Sequence, residues 1–424
     1  MSYQNVRGTQ DYLPAEEVLR RNIRQTIEDV FMQYGCEPLE TPILNYTSLL
    51  ASKYGGGAEI LEEMYRLTDR GERDLALRYD LTIPFAKVVA MNPTIQLPFK
   101  RYEIGKVFRD GPIKKGRLRE FTQCDVDIVG AESQMAESEL MLMTLDVFEQ
   151  LKLQVTIQYN NRKLLMGLLM LFNVAENKIN RTILTLDKLE KIGSEAVLIE
   201  LKGLNLETST LGKLEGILID RENIDISTFE AYAQKNEMIS EGLRELKELQ
   251  DYLQYLAIDK QCVFNPFLAR GLEIYSGTIY EMFLTDGSIT SSVGSGGRYD
   301  NTIGGLIGTD EKFSTVGISY GLDVIYTALS MKEEQMLKEI NLDYYIIPLN
   351  TQKEALLVAQ SFRKKGYKVA CDFSNKRLGR ILERANKEKM ENVIIIGEDE
   401  VNNNYVKIKN MITGDEEVKQ FMFK

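Results

Sequence analysis

The chain of 424 residues contains no histidine at all, where an ordinary usage of about one residue in fifty would supply roughly eight. Histidine triads, histidine metal sites and histidine general bases are therefore excluded. Any catalysis must rest on Arg, Lys, Asp, Glu, Tyr, backbone groups, substrate groups or a hard cation. Cysteine is scarce as well. Cys36, Cys124, Cys262 and Cys371 are scattered without a CxxC pair, which argues against a disulfide framework and a cysteine zinc site. No stretch of the sequence approaches the roughly 18 uninterrupted apolar residues of a membrane helix. The opening Met1-Ser2-Tyr3-Gln4-Asn5 lacks the basic segment and apolar core of a signal peptide. A cytoplasmic protein without membrane association is expected.

What is present fits a folded multidomain protein. Hydrophobic residues make up 44% and charged residues 27%, the balance of a globular chain. The length exceeds one ordinary core of roughly 100–200 residues, so two or three domains are expected. Net charge is −11, from 52 basic and 63 acidic residues, which disfavours indiscriminate nucleic-acid binding and leaves room for a local basic patch. Residues 361–390 hold such a patch, ten Lys+Arg against three Asp+Glu. It reads either as a solvated helical face or as an anion-binding surface.

Hydrophobic spacing predicts an amphipathic helix over 14–34, from Val18, Leu19, Ile23, Ile27, Val30 and Phe31. Alternating segments dominate from about 75 to 160, and LQVTIQY (153–159) has the strict alternation of a half-buried strand. Helical patterns run from about 162 to 258. The last carries a stripe of Ile239, Leu243, Leu246, Leu249, Leu253 and Leu256, read as core or a helix–helix seam. Strand and turn signals return at 270–321, with six glycines in 294–308. Beyond a Lys/Glu-rich stretch near 331–341, DYYIIPL, a helix near 352–365, VACDF, a helix near 377–389 and NVIIIG alternate as β-α-β-α-β. That alternation predicts a small α/β domain with a mostly parallel sheet.

Four segments could carry chemistry. Residues 99–130 read as a long hairpin around Gly111-Pro112 and Gly116, with Arg109 at the end of one strand and Arg117 and Arg119 at the start of the next. Three guanidiniums at one loop suit an anion such as a triphosphate, since each offers a planar fork of donors. Strand alternation puts Phe121, Gln123, Asp125 and Asp127 on one face and Thr122, Cys124, Val126 and Ile128 on the other, which looks buried. The first face is a platform for stacking and polar recognition, or a surface whose acids pair with nearby arginines. LRYDLT (77–82) alternates Arg78, Asp80 and Thr82; ARGLEIYSGTIYE (269–281) holds Arg270, Glu273 and Tyr275. GSGGRYD (294–300) has glycines that allow positive φ or close approach of backbone to a ligand.

In this order the segments resemble the histidyl-tRNA synthetases, a family of class II aminoacyl-tRNA synthetases. The likeness starts at Arg7-Gly8-Thr9-Gln10-Asp11 and covers nearly the whole chain. Pro42 in LETPIL fits motif 1, the dimer interface of the family; residues 99–130 resemble motif 2. ARGLEIYSG and GSGGRYD are similar to the two histidine-specific signatures, RGLDYY and AGGRYD. The resemblance implies an α+β fold: a class II synthetase-type antiparallel-sheet catalytic domain over 1–330 with a helical insertion at about 170–235, then a C-terminal α/β anticodon-binding domain over 341–424. It implies ATP and Mg²⁺, L-histidine and tRNA(His) as substrates and partners, and a homodimer.

Residue by residue, the resemblance implies that Arg109 and Arg117 hold ATP phosphates and Phe121 stacks under adenine. Asp80, Thr82 and Gln123 would grip the α-amino end of histidine, and Asp127 and Tyr275 would read its imidazole nitrogens. Arg270 would sit against the carboxylate and α-phosphate, and with Arg109 would be catalytic. No side-chain base is needed, because the carboxylate of histidine is itself the nucleophile, and Arg270 with Mg²⁺ would neutralise charge developing on the phosphate. Three departures stand out. The motif 3 ending G-x-E-R is here Gly321-Leu322-Asp323-Val324, without the arginine that meets the outer phosphates. Gly111 replaces a motif 2 Glu, and Glu273-Ile274 replace Asp-Tyr. The alternative implied by such losses is a non-catalytic paralogue, a histidine-sensing regulatory subunit of ATP phosphoribosyltransferase.

Overall fold

The computed structural model describes residues 3–52, 61–114, 116–219, 224–269, 274–332, 342–374 and 376–423. The chain divides into two compact units. One comprises Met1–Leu13 and Leu19–Glu334, the other Pro14–Val18 and Gln335–Lys424.

The larger unit is built on strands β1 (Glu37–Pro38), β2 (Leu44–Tyr46), β3 (Arg66–Thr68), β4 (Asp74–Leu77), β5 (Phe99–Phe108), β6 (Glu120–Val129), β7 (Val155–Asn161), β8 (Cys262–Phe264), β9 (Thr278–Leu284), β10 (Gly294–Arg298) and β11 (Thr315–Gly321). Among the described residues eight of these form one sheet in the order β1-β5-β6-β11-β10-β9-β7-β8, and β2, β4 and β3 form a small second one. The large sheet is antiparallel except at its two edges, where β1 runs parallel to β5 and β8 to β7. Two helices, Thr82–Met91 and Met135–Gln150, interrupt the region whose sequence alternates.

The opening helix, Pro14–Gln33, turns Leu19, Ile23, Ile27, Val30 and Phe31 into the core. There they meet Cys124, Val126 and Ile128 from one face of β6. The alternation of β6 thus commits one face to packing and leaves the other for polar groups. Helices Arg162–Leu171, Glu176–Leu186, Leu189–Gly203, Thr208–Ile219 and Glu237–Tyr255 follow. The expected stripe on the last is buried from Ile239 to Leu253, while Leu256, just past the helix end, is exposed. It forms a seam with Arg162–Leu171 that depends on Gly242, where a Cβ would come within 2.7 Å of the Leu164 amide nitrogen.

The smaller unit holds β12 (Tyr344–Pro348), helix Gln352–Lys364, β13 (Val369–Cys371), helix Leu378–Lys387, β14 (Asn392–Ile396), β15 (Tyr405–Asn410) and β16 (Glu416–Gln420). The expected β-α-β-α-β run forms the parallel strands β13-β12-β14. The mostly parallel expectation needs amending, because β15 and β16 add an antiparallel hairpin. Its sequence signal is present: Val406 and Ile408 alternate inward, and Gly414 turns at φ +82°. No helix among the described residues is long and apolar enough to cross a membrane.

Candidate active site

The β5–β6 hairpin sets the register of the site. Arg101 stands opposite Asp127, Glu103 opposite Asp125, Gly105 opposite Gln123 and Val107 opposite Phe121. On the other side β11 places Gly317, Ser319 and Gly321 beside Asp127, Asp125 and Gln123. These residues are small, so the polar face of β6 borders a low floor. At Gly317 a Cβ would lie 1.9 Å from Asp127 Oδ1, so any side chain there must displace that carboxylate. Gln123 Nε2 donates to Ser319 Oγ at 2.8 Å.

The buried charges are only partly matched. Arg101, fully buried, reaches Asp127 Oδ2 with Nη2 at 2.5 Å, and the Tyr299 hydroxyl donates to Asp127 Oδ1. Burial raises the Asp127 carboxyl, with Arg101 and the Tyr299 hydrogen bond opposing. Asp125 has less support. Burial pushes it up to about 8, against the pull of Arg101, and its Oδ1, like Gln123 Oε1, has no hydrogen-bond partner. A buried polar atom without a partner costs about 1–3 kcal/mol, and this face carries open capacity of both kinds, acceptors on Asp125 and Gln123 and donors on Arg101 Nε and Nη1.

Beside it, Asp80 Oδ1 accepts from the Ile83 amide at 3.2 Å, in the first turn of the helix that Thr82 opens. Burial lifts its carboxyl to about 6, with the Arg109 guanidinium opposing and Asp127 adding to the rise. Arg109 Nε donates to Tyr79 O at 2.9 Å. Its guanidinium carbon lies 5.3 Å from the centroid of the Phe121 ring. Asp80, Arg109, Phe121, Gln123, Asp125 and Asp127 thus come together. Arg270 and Glu273 lie outside the described residues.

Other expectations need correction. The three loop arginines do not converge as equals. Arg119 is held by Asp110 at 2.8 Å and by the Gly111 carbonyl, while Arg117 is half exposed with Glu63 at 3.8 Å. That same Glu63 carboxylate fills the space beside Gly111, 2.5 Å from where its Cβ would be. Arg78 does not share a face with Asp80: β4 ends at Leu77, and Arg78 turns inward to Glu103 and the Thr41 carbonyl, each at 2.7 Å. The glycines of GSGGRYD admit the protein's own groups, since a Cβ at Gly297 would lie 2.8 Å from the buried Tyr275 ring. Arg298 of that segment grips Glu137 through two hydrogen bonds.

Asp323 and Val324, at the motif 3 departure, have clear places. Asp323 accepts from Tyr12 Oη at 2.8 Å, Arg20 Nη1 at 2.6 Å and the Thr122 amide at 2.7 Å. Val324 packs under the hairpin loop, where a Cβ on Gly116 (φ +72°) would lie 3.4 Å from its Cα. Sequence reasoning missed Arg101, Tyr299 and Ser319. The signal for Arg101 and Ser319 was the hairpin register and the β6–β11 pairing, while Tyr299 reaches Asp127 from just past the end of β10; none of these follows from one strand's alternation.

A mainly antiparallel sheet that presents an arginine, an aromatic ring and carboxylates on its central hairpin, in a chain with a separate α/β unit, has the fold of a class II aminoacyl-tRNA synthetase. Residues 8–325 match the family model described as histidyl-tRNA synthetase, and residues 343–421 match the anticodon binding domain. The chain is 58% identical over 421 residues to histidine–tRNA ligase 2 of Shouchella clausii (strain KSM-K16), covering 99% of each. It is 54% identical over 417 residues to histidine–tRNA ligase 1 of Bacillus anthracis, covering 98% of this chain and 97% of that one. The crystal structure of histidyl-tRNA synthetase from Nostoc sp. PCC 7120 superimposes with a TM-score of 0.80 at 28% identity, covering 99% and 97% of the two chains. The chain belongs to the histidyl-tRNA synthetase family.

Proposed function

We propose that the enzyme activates L-histidine with ATP and transfers it to tRNA(His), acting as a histidine–tRNA ligase. The observation that carries this reading is the sheet face itself. Unsatisfied buried acceptors on Gln123 and Asp125 lie beside the Arg109–Phe121 pair, an amino-acid end next to a nucleotide end. Phe121 stacks under adenine, and Arg109 and Arg117 hold the phosphates. Asp80, Thr82 and Gln123 take the α-ammonium, while Asp127 and Tyr275 read the imidazole. A substrate without the matching donor strands these groups, the strongest form of selection a polar pocket has.

The carboxylate of histidine attacks the α-phosphorus, pyrophosphate leaves, and Arg270 neutralises the charge that develops. The adenylate then passes its acyl group to the terminal ribose of the tRNA. Among the described residues no three Cys, Asp or Glu side chains gather as a metal cage. Mg²⁺ would enter as part of the ATP substrate, on its phosphates, as this ion often does.

Residues 1–330 form the catalytic domain with its insertion at 170–235, and 341–424 bind the anticodon end. In support, the ten basic residues of 361–390 are all exposed. A homodimer through the motif 1 region has support in exposed Ile43, Leu44 and Tyr46 beside Pro42, and a cytoplasmic location follows from the activity. The regulatory-subunit alternative is not favoured, given full-length identity of 54–58% to histidine–tRNA ligases and an anticodon-binding domain. The test is histidine-dependent ATP–pyrophosphate exchange without tRNA, followed by charging of tRNA(His). Exchange with histidine alone among amino acids is expected. Folded protein that binds histidine without exchange would move the assignment to the regulatory class.

A further inference from the structure

Arg101 is the largest side chain that lies fully enclosed among the described residues. A buried guanidinium stays charged, because it does not lose its proton in a protein, so the fold must supply it with an anion. Two stand within reach. Glu103 Oε2 is 3.9 Å from Nη1, but Glu103 already accepts from Arg78 at 2.7 Å and from the Thr41 amide and hydroxyl. Asp127 is nearer, with Oδ2 2.5 Å from Nη2. The charge of Arg101 is thus assigned to Asp127.

The guanidinium is also held in place from its other side. Nη2 donates to the Leu81 carbonyl at 3.2 Å, and the guanidinium carbon lies 4.3 Å from the centroid of the Phe85 ring. Leu81 caps the helix Thr82–Met91 and Phe85 lies in its first turn. The helix that Thr82 opens therefore fixes the cation beside the strand that carries Asp127. On the second carboxylate oxygen, the Tyr299 hydroxyl donates to Asp127 Oδ1. An ionised carboxylate has about four acceptor sites and no donor. With one site taken on each oxygen, what remains of Asp127 can only accept.

We propose that Arg101 is a positioning residue for histidine selection: it holds Asp127 as an ionised, acceptor-only carboxylate, so that the ring nitrogen facing it must carry a hydrogen. The inference rests on the histidine-activating reading and names the device by which that site reads an N–H rather than a ring shape. Much stands against a charge on Asp127. Burial opposes it, and so do the carboxylates of Glu103, Asp125 and Asp80 and the side chains of Tyr280 and Cys36. Arg101 and the Tyr299 hydrogen bond act in its favour.

The probe is 4-thiazolylalanine, whose five-membered ring is close in size to imidazole and has no N–H. In amino-acid-dependent pyrophosphate exchange, the wild type should prefer histidine in kcat/KM by about 10⁴-fold or more, as sites built around a substrate N–H do. Arg101→Met keeps the packing on Phe85 and removes the charge. The preference should then fall by about 10- to 1000-fold, the effect of one to three pH units on a carboxylate that loses its cation. The change should sit in KM for histidine, with KM for ATP little altered, and Arg101→Lys should restore most of the preference. A general weakening of the fold would lower both substrates alike and leave their ratio unchanged. In the wild type itself the preference should not decline from pH 8 to pH 6, a measurement that needs no variant to fold. A wild-type ratio in Arg101→Met, or a ratio that drops toward pH 6 in the wild type, overturns the proposal. Wild-type enzyme that shows no exchange with histidine would instead overturn the assigned activity.

Discussion

Asp323→Ala removes one carboxylate from the point where the N-terminal segment, the opening helix and strand β6 meet. The side chain is 4% exposed and its Arg20 partner 10%. Losing it deprives Tyr12, Arg20 and the Thr122 amide of their common acceptor. Breaking a buried pair by deleting one partner costs about 3–5 kcal/mol. Arg20 keeps its stack on the Tyr12 ring, 3.8 Å away, which places the expected loss near the lower end, about 3 kcal/mol. At roughly 2–4 °C per kcal/mol for a domain of a few hundred residues, the catalytic unit should melt about 6–12 °C earlier.

The same carboxylate fixes the backbone between Phe121 and Gln123, so KM for ATP in pyrophosphate exchange should rise as well. Asp323→Asn keeps the shape and two acceptor lone pairs, and should fall between Ala and wild type. Scanning calorimetry on both variants, with exchange kinetics below their transitions, reads both effects. A melting shift under about 2 °C for Asp323→Ala would refute the view that this carboxylate ties the three elements together.

Other outcomes follow from the same geometry. Burial pushes the Asp125 carboxyl up from the ordinary 3.8 to about 8, so folding retains a proton that the unfolded chain releases. Its contribution to stability is full below about 4 and is lost as pH rises toward 8. Urea midpoints of Asp125→Asn relative to wild type should therefore move in the variant's favour from pH 5 to 8, and a constant difference would contradict this. Gly317→Ala places a methyl against Asp127 Oδ1; overpacking of this kind costs about 1–3 kcal/mol, and KM for histidine should rise with KM for ATP little changed. Phe121→Ala should do the reverse, raising KM for ATP by about 5- to 150-fold if a stacked base is lost. A chain without histidine can be completed when charged tRNA(His) is scarce. Histidine limitation should spare its synthesis relative to a histidine-containing control, and equal suppression would defeat that idea.

Residue types and their spacing by themselves determined a good deal here. The absence of histidine ruled out whole classes of chemistry, and the ordered motifs pointed to the family. The alternation of β6 sorted Phe121, Gln123, Asp125 and Asp127 from the core-facing residues, because a strand's side chains must point to opposite faces. The opening helix and the three parallel strands of the smaller unit were readable for the same local reason.

Only the tertiary structure decided which charges meet. Arg101 lies 26 positions from Asp127 along the chain, and their pairing depends on hairpin register. Of the two readings of the β6 face, the pairing of its acids with an arginine is met at Asp127, yet in the interior, while Asp125 Oδ1 has no hydrogen-bond partner there. Arg119 and Arg78 looked like ligand-binding groups and are spent on Asp110 and Glu103. Ion pairing depends on distances across the fold, and local periodicity carries no information about them.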